Sequence, residues 1–347
     1  MTRKASELMP PEKADAPRIL VVGPSWVGDM IMAQSLFMDL KTQHPNCTIS
    51  VLAPTWTEPL LQRMPEVTLS IPAPFKHGSV DFAERRRVAR VLRGHGFNQA
   101  IVLPGSLKSA LAPWLAGIPQ RTGFRGEMRY GLLNDIRPLD KSALTMTVQR
   151  FVALGKPEAI HRAPDIMPPM LSVSAEQVEG AKQAYSIPSD TGPVLGLCPG
   201  AEYGSSKRWP IRHYAELGSR AQQMGYQVWL FGSENDRDVC GQIAEGMERS
   251  CIDLSGRTSL GKAIDLMSCC DRVVSNDSGL MHVAAALGRP VISLYGSSSP
   301  DFTPPLSDCA TILNLQLACS PCFKRECPLG HHDCLEKLSP ERVLSYL

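Results

Sequence analysis

Asp29 is the side chain in this sequence best placed to move a proton. It ends "VVGPSWVGD" (21–29), a glycine-flanked loop between an apolar run and an amphipathic stretch. The glycine spacing is that of a phosphate loop, but Asp29 stands where such a loop needs lysine followed by serine or threonine. An acid in the first turn of a helix ordinarily only complements the dipole. Here the loop belongs to the ligand edge of a sheet, beside a Trp26 expected to reach solvent. Asp29 is therefore read as a general base for a substrate hydroxyl. A carboxylate there repels phosphate, so a phosphate ligand belongs to the other half of the chain.

That half carries "VVSNDSGLMHVAAALG" (273–288), a buried strand running into Asn276–Gly279 and a helix of small residues. Asp277 or Ser278 is expected to cap the helix, and the amides of Ser278, Gly279 and Leu280 to form an anion site that His282 also reaches. "CPGAEYGSSKRWP" (198–210) offers Lys207 at the same edge, with Pro210 suited to open the next helix. In "FGSENDRD" (231–238), Glu234 is positioned for ribose hydroxyls. Asp236 and Asp238 read as the acidic opening of a helix rather than a metal pair. Lys108, Arg121, Arg125 and Arg129 follow the third strand among aromatics and glycines, and are read as a grip on an anionic substrate. Arg85–Arg87 are read as a solvated helix face. No dinucleotide fingerprint follows either opening strand, which disfavours an oxidoreductase.

"CSPCFKRECPLGHHDC" places Cys319, Cys322, Cys327 and Cys334 within sixteen residues, beside His331 and His332. Their number and softness suit a structural zinc, although the spacing is not a paired C-x2-C repeat. The alternatives are free thiols, or disulfides, which a reducing cytosol disfavours. A further reading has Lys324 and Arg325 face an acidic acceptor while the cysteines only shape the loop.

These residues need elements to hold them. The chain has 347 residues, 43% hydrophobic and 20% charged, with 36 basic and 34 acidic side chains and a net charge of +2. That balance gives no argument for nucleic acid. Residues 1–17 read as a flexible tail without a signal-peptide core, and no apolar run approaches ~18 residues. The expected setting is the cytoplasm. Apolar runs alternate with helix-length stretches twice, at 18–23, 47–54 and 99–105 and again from 193 to 296, interrupted by a proline-rich region between 151 and 192. Such alternation predicts parallel sheets covered on both faces, in two doubly wound domains that bind ligand beyond the carboxyl ends of their strands.

The blocks "GPSWVGDM", "RTGFRGEMRYGLLND", "CPGAEYGSSKRWP", "NDSGLMHVAAALGRP" and "YGSSSPDFTPPLS" resemble the lipopolysaccharide heptosyltransferases of glycosyltransferase family nine, in order, over residues 18–347. The resemblance implies an α/β protein of the GT-B fold, two Rossmann-like domains facing a central cleft. The acceptor-binding domain is expected at 18–165, a linker at 166–192, and the ADP-heptose-binding domain at 193–347, with the Cys-rich segment 319–334 and a C-terminal helix. It implies inverting transfer of L-glycero-D-manno-heptose from ADP-heptose to the first heptose of heptosyl-Kdo-lipid A, in alpha-1,3 linkage. On the matching motifs, Asp29 falls on the family's proposed base. Lys207, Ser278, Gly279 and His282 fall on its diphosphate contacts, and the Lys108 and Arg121 regions on its acceptor side. No cofactor is called for in catalysis if those donors carry the leaving charge. The expected partners are the donor, the lipid-linked acceptor and, peripherally, the cytoplasmic face of the inner membrane. Two rival readings are a heptosyltransferase acting on a different core acceptor and a non-catalytic two-lobed sugar-binding protein. The second has no use for a base at Asp29.

Overall fold

The computed structural model describes residues 16–75, 80–188 and 192–347, so the expected tail lies outside the described residues except for its last two. The first lobe is a parallel sheet of β1 (Arg18–Val22), β2 (Thr48–Ala53), β3 (Val67–Pro72), β4 (Gln99–Val102), β5 (Gln120–Phe124) and β6 (Asp135–Arg137). The second holds β7 (Val194–Cys198), β8 (Gln227–Leu230), β9 (Ile252–Asp253), β10 (Arg272–Asn276), β11 (Val291–Tyr295) and β12 (Ala310–Asn314). Helices α1 (Val27–Gln43), α2 (Glu58–Leu61), α3 (Phe82–Gly94), α4 (Leu111–Ala116) and α5 (Thr147–Leu154) accompany the first sheet. Helix α6 (Ala175–Ala184) precedes the second lobe, which adds α7 (Ile211–Gln223), α8 (Arg237–Gly246), α9 (Leu260–Met267), α10 (Gly279–Ala286), α11 (Asp333–Glu336) and α12 (Pro340–Leu344).

The central strands "RILVV", "VLGLC" and "VISLY" are unbroken apolar runs, because helices cover both faces of each sheet. The strand orders are β3-β2-β1-β4-β5-β6 and β12-β11-β10-β7-β8-β9. Each order reverses direction once, between β1 and β4 and between β7 and β10. A parallel sheet opens a ligand crevice at that reversal, beyond the carboxyl ends of the two strands. Asp29 and Lys108 follow β1 and β4. Lys207 and Asp277 follow β7 and β10.

The two lobes share one core. Helix α1 packs on α5 and on α10 of the second lobe. Buried side chains run from Ile19 and Val21 through Ile31 and Phe37 to Met281 and Ala285 without a break. Because α1 is enclosed nearly all round, its buried polar residues need partners. Gln34 Nε2 donates to the Met170 carbonyl at 2.7 Å, Ser35 Oγ to that of Met167 at 2.7 Å, and Leu171 N to that of Ala286 at 2.9 Å. The segment 167–171 thus straps α1 against the second lobe. A buried ion pair between Arg63 and Asp265, with Nε to Oδ1 at 3.0 Å, joins the lobes again. Helix α6 packs on α9, so part of the expected linker rides with the second lobe.

Candidate functional site

Two helices from opposite lobes meet head to head. A Cβ built on Gly28, near the start of α1, lies 2.6 Å from His282 Cδ2, and one on Gly279 lies 2.8 Å from Val27 Cβ. Only glycine allows that approach at either position. The positive ends of two helix dipoles therefore point into one crevice. The cap expected at α10 is not made. Ser278 occupies the N-cap position without accepting from the helix, and its Oγ lies 3.2 Å from Ser275 Oγ. Asp277 is engaged elsewhere, with Lys207 Nζ donating to its Oδ2 at 2.6 Å. The opening amides of α10 consequently have no side-chain acceptor of their own, as an anion site requires.

Burial of Asp29 against this contact raises its carboxyl to about 6. The Lys207 ammonium draws it down and the Asp277 carboxylate pushes it up, both smaller effects than the burial. A carboxylate poised near 6 is still ionised at pH 7 and far more basic than an exposed aspartate, as a general base should be. His282 moves the other way: burial lowers it to about 4. It is neutral at pH 7 and packed on the Gly28 backbone, so it brings no positive charge to the crevice. Substituting Gly28→Ala pushes a methyl group into that ring, which is itself buried and has no room to turn. We expect lower thermal stability, by roughly 1–3 kcal/mol, and reduced turnover. Melting and transfer assays on the variant check both.

The loop bearing Lys207 is tied down by Asn276, which the sequence reading did not single out. Asn276 Oδ1 accepts from Trp209 N and from Tyr214 Oη, each at 3.1 Å, and its Nδ2 donates to the Pro199 carbonyl at 2.7 Å. Tyr203 is a second such residue. Its ring lies 5.3 Å from Lys207 Nζ and 5.4 Å from the Arg325 guanidinium, and its hydroxyl donates to the Phe323 carbonyl at 3.0 Å. Lys207 and Arg325, the latter read from sequence as an alternative acceptor contact, thus flank the same ring. Glu234 follows β8 at the same sheet edge, exposed and paired with Arg237 at 3.0 Å. Asp236 opens the next helix as read, its carboxylate accepting from Ser233 N at 2.9 Å.

On the first lobe, Trp26 is 53% exposed immediately before α1, Lys108 follows β4, and Arg125 is exposed after β5. The other two arginines differ from expectation. Arg129 is buried, and its guanidinium donates to the Pro104 carbonyl at 2.7 Å and to that of Phe124. It braces the loop beyond β4 and has little left for a ligand. Arg121 lies at the amino end of β5, donating to the carbonyls of Leu132 at 2.7 Å and of Ile118. The structure does not bring it to the carboxyl edge where Asp29 lies.

Cys319, Cys322, Cys327 and Cys334 are free thiols around one small cavity, with His331 and His332. Backbone amides between Leu329 and His332 lower the Cys327 thiol, and burial, then the three neighbouring thiols, raises that of Cys334. Among the described residues, no three His, Cys, Asp or Glu side chains are disposed to hold a metal ion. The segment does latch the Lys207 loop: Ser206 N donates to the Arg325 carbonyl at 3.1 Å, and Ser206 Oγ donates to the Lys324 carbonyl.

A family model described as glycosyltransferase family 9 (heptosyltransferase) matches residues 85–332. The chain is 48% identical to lipopolysaccharide heptosyltransferase 2 of Escherichia coli (strain K12), over 95% of this chain and 97% of that protein. It is 46% identical to lipooligosaccharide heptosyltransferase 2 of Haemophilus influenzae, over 95% and 98%. The solved structure of E. coli ADP-heptose lps heptosyltransferase II matches with a TM-score of 0.85 at 46% identity, covering 95% of this chain and 97% of that one.

Proposed function

Because this chain belongs to glycosyltransferase family 9, the heptosyltransferases, we propose that it moves L-glycero-D-manno-heptose from ADP-heptose to the first heptose of heptosyl-Kdo-lipid A. The observation that carries this reading is the convergence of Asp29 from one lobe with Lys207, Asp277 and the α10 amides from the other. Asp29 accepts the proton of the acceptor hydroxyl as its oxygen bonds to the anomeric carbon. The bond from that carbon to the diphosphate oxygen breaks on the opposite face, so the configuration inverts and ADP departs. Lys207 and the free amides of α10 hold the charge that develops on the diphosphate. Trp26, Lys108 and Arg125 line the acceptor's approach, and Glu234 lies within reach of the donor's ribose. With a lipid-linked acceptor the enzyme works at the cytoplasmic face of the inner membrane. The contact we propose there is peripheral; no helix among the described residues is long and apolar enough to cross a membrane.

The test is incubation with ADP-heptose and cores truncated stepwise, read by product mass. The monoheptosylated acceptor should gain one heptosyl unit, while the Kdo-only and diheptosylated acceptors stay unchanged. Extension of the Kdo-only acceptor instead overturns the assignment and favours a sister activity on another acceptor.

A further inference from the structure

We propose that the outer face of the first lobe formed by α3 and α4 docks on a bilayer of anionic phospholipid. The inference deepens the reading above and rests on its lipid-linked acceptor. Helix α3 buries Val88, Ala89 and Leu92 against the sheet and turns Phe82, Arg86, Arg90 and Arg93 outward, spaced so that they fall on one side of the helix. The run "ERRR", read from sequence as merely solvated, divides three ways. Arg85 is buried and donates to the Lys108 carbonyl at 2.7 Å, and Arg87 pairs with Glu84. Arg86 lies 4.7 Å from the Phe82 ring. Among the described residues, Arg86, Arg90 and Arg93 have no acidic partner within ion-pair distance.

Large apolar groups frame this stripe. Phe82 at its start is 43% exposed. Arg93 at its end donates to the Leu115 carbonyl of α4 at 2.6 Å, and Trp114, the residue before Leu115 on that helix, is 42% exposed. Val91 on α3 is exposed as well. An aromatic at either end of an unneutralised row of arginines matches the layering of a bilayer surface. Rings settle at headgroup depth while guanidinium groups meet lipid phosphates. The chain's net charge of +2 supplies no such attraction by itself, so the attraction is local to this face.

The experiment is flotation of the full chain with vesicles of phosphatidylcholine alone or mixed with phosphatidylglycerol. Binding should require phosphatidylglycerol and weaken with salt. Each arginine near an anionic surface contributes about fivefold (~1 kcal/mol), so Arg86→Gln/Arg90→Gln/Arg93→Gln should partition roughly 100-fold more weakly. Arg86→Gln/Arg90→Gln, which disturbs no backbone hydrogen bond, should lose about 25-fold and serves if the triple variant melts early. Partitioning within threefold of wild type, or no preference for the anionic vesicles, overturns the docking face. Transfer to a deacylated, water-soluble acceptor should be unchanged in both variants; its loss would assign these arginines to the acceptor and overturn the proposal too. A wild-type protein that floats with the vesicles but transfers no heptose defeats the function proposed above and leaves the docking face intact.

Discussion

Asp29→Asn should bind ADP as the wild type does yet transfer heptose 10²–10⁴-fold more slowly, the usual loss when a positioned base is removed. The carboxyl stands at about 6, so the wild-type rate should rise with pH through that value and level off above it. The residual rate of the variant should lack that limb. Calorimetry with ADP and a pH series of single-turnover rates check the two halves separately. Full activity in the variant would remove Asp29 from the chemistry.

The same shift carries an opposite consequence for stability. Below the ordinary aspartate range, near 3.8, the group is protonated in both folded and unfolded chains and costs nothing. As pH rises from there to about 6, the unfolded chain ionises more readily, so stability falls; above 6 the loss is complete. Two units correspond to at most ~3 kcal/mol, and less because the crevice admits some water. Asparagine removes this penalty, so the inactive variant should melt higher than wild type at pH 7–8 and level with it near pH 3.5.

The sequence made the central strands legible because each is an apolar run long enough to be buried on both faces. Strands β3, β5, β6 and β12 escaped notice because they lie towards the sheet edges, where exposed and polar positions break the run. The positions of Asp29, Lys207 and Asp277 were equally legible, since residues that follow central strands of a doubly wound sheet reach the ligand edge. What they do to one another was not. The pairing of Gly28 with His282 and of Gly279 with Val27 depends on how two lobes meet, and nothing local to either glycine encodes it. Arg129 shows the same limit from the other side. An arginine in a glycine-rich loop invites a ligand, until the fold supplies the Pro104 and Phe124 carbonyls that take its guanidinium.

Lys207→Ala should be the most damaging change on the second lobe, for three separable reasons. It removes the cation proposed above to face the diphosphate, a loss of 10²–10³ in rate when a preorganised charge donor is deleted. It strands Asp277, 5% exposed and until then paired at 2.6 Å, as a bare carboxylate that repels the incoming donor. It also strips Asp29 of the charge that holds its carboxyl down, so the residual rate should rise through a higher pH than in wild type. The double variant Lys207→Ala/Asp277→Asn distinguishes these effects. Without the stranded carboxylate, ADP affinity should recover part of its loss, and the pH limb should move back towards wild type because Asp277 raises Asp29. The rate should stay low, because the leaving charge still lacks its cation. Equal ADP affinity in the wild type and the single variant would show that Lys207 does not touch the donor, whatever its effect on turnover.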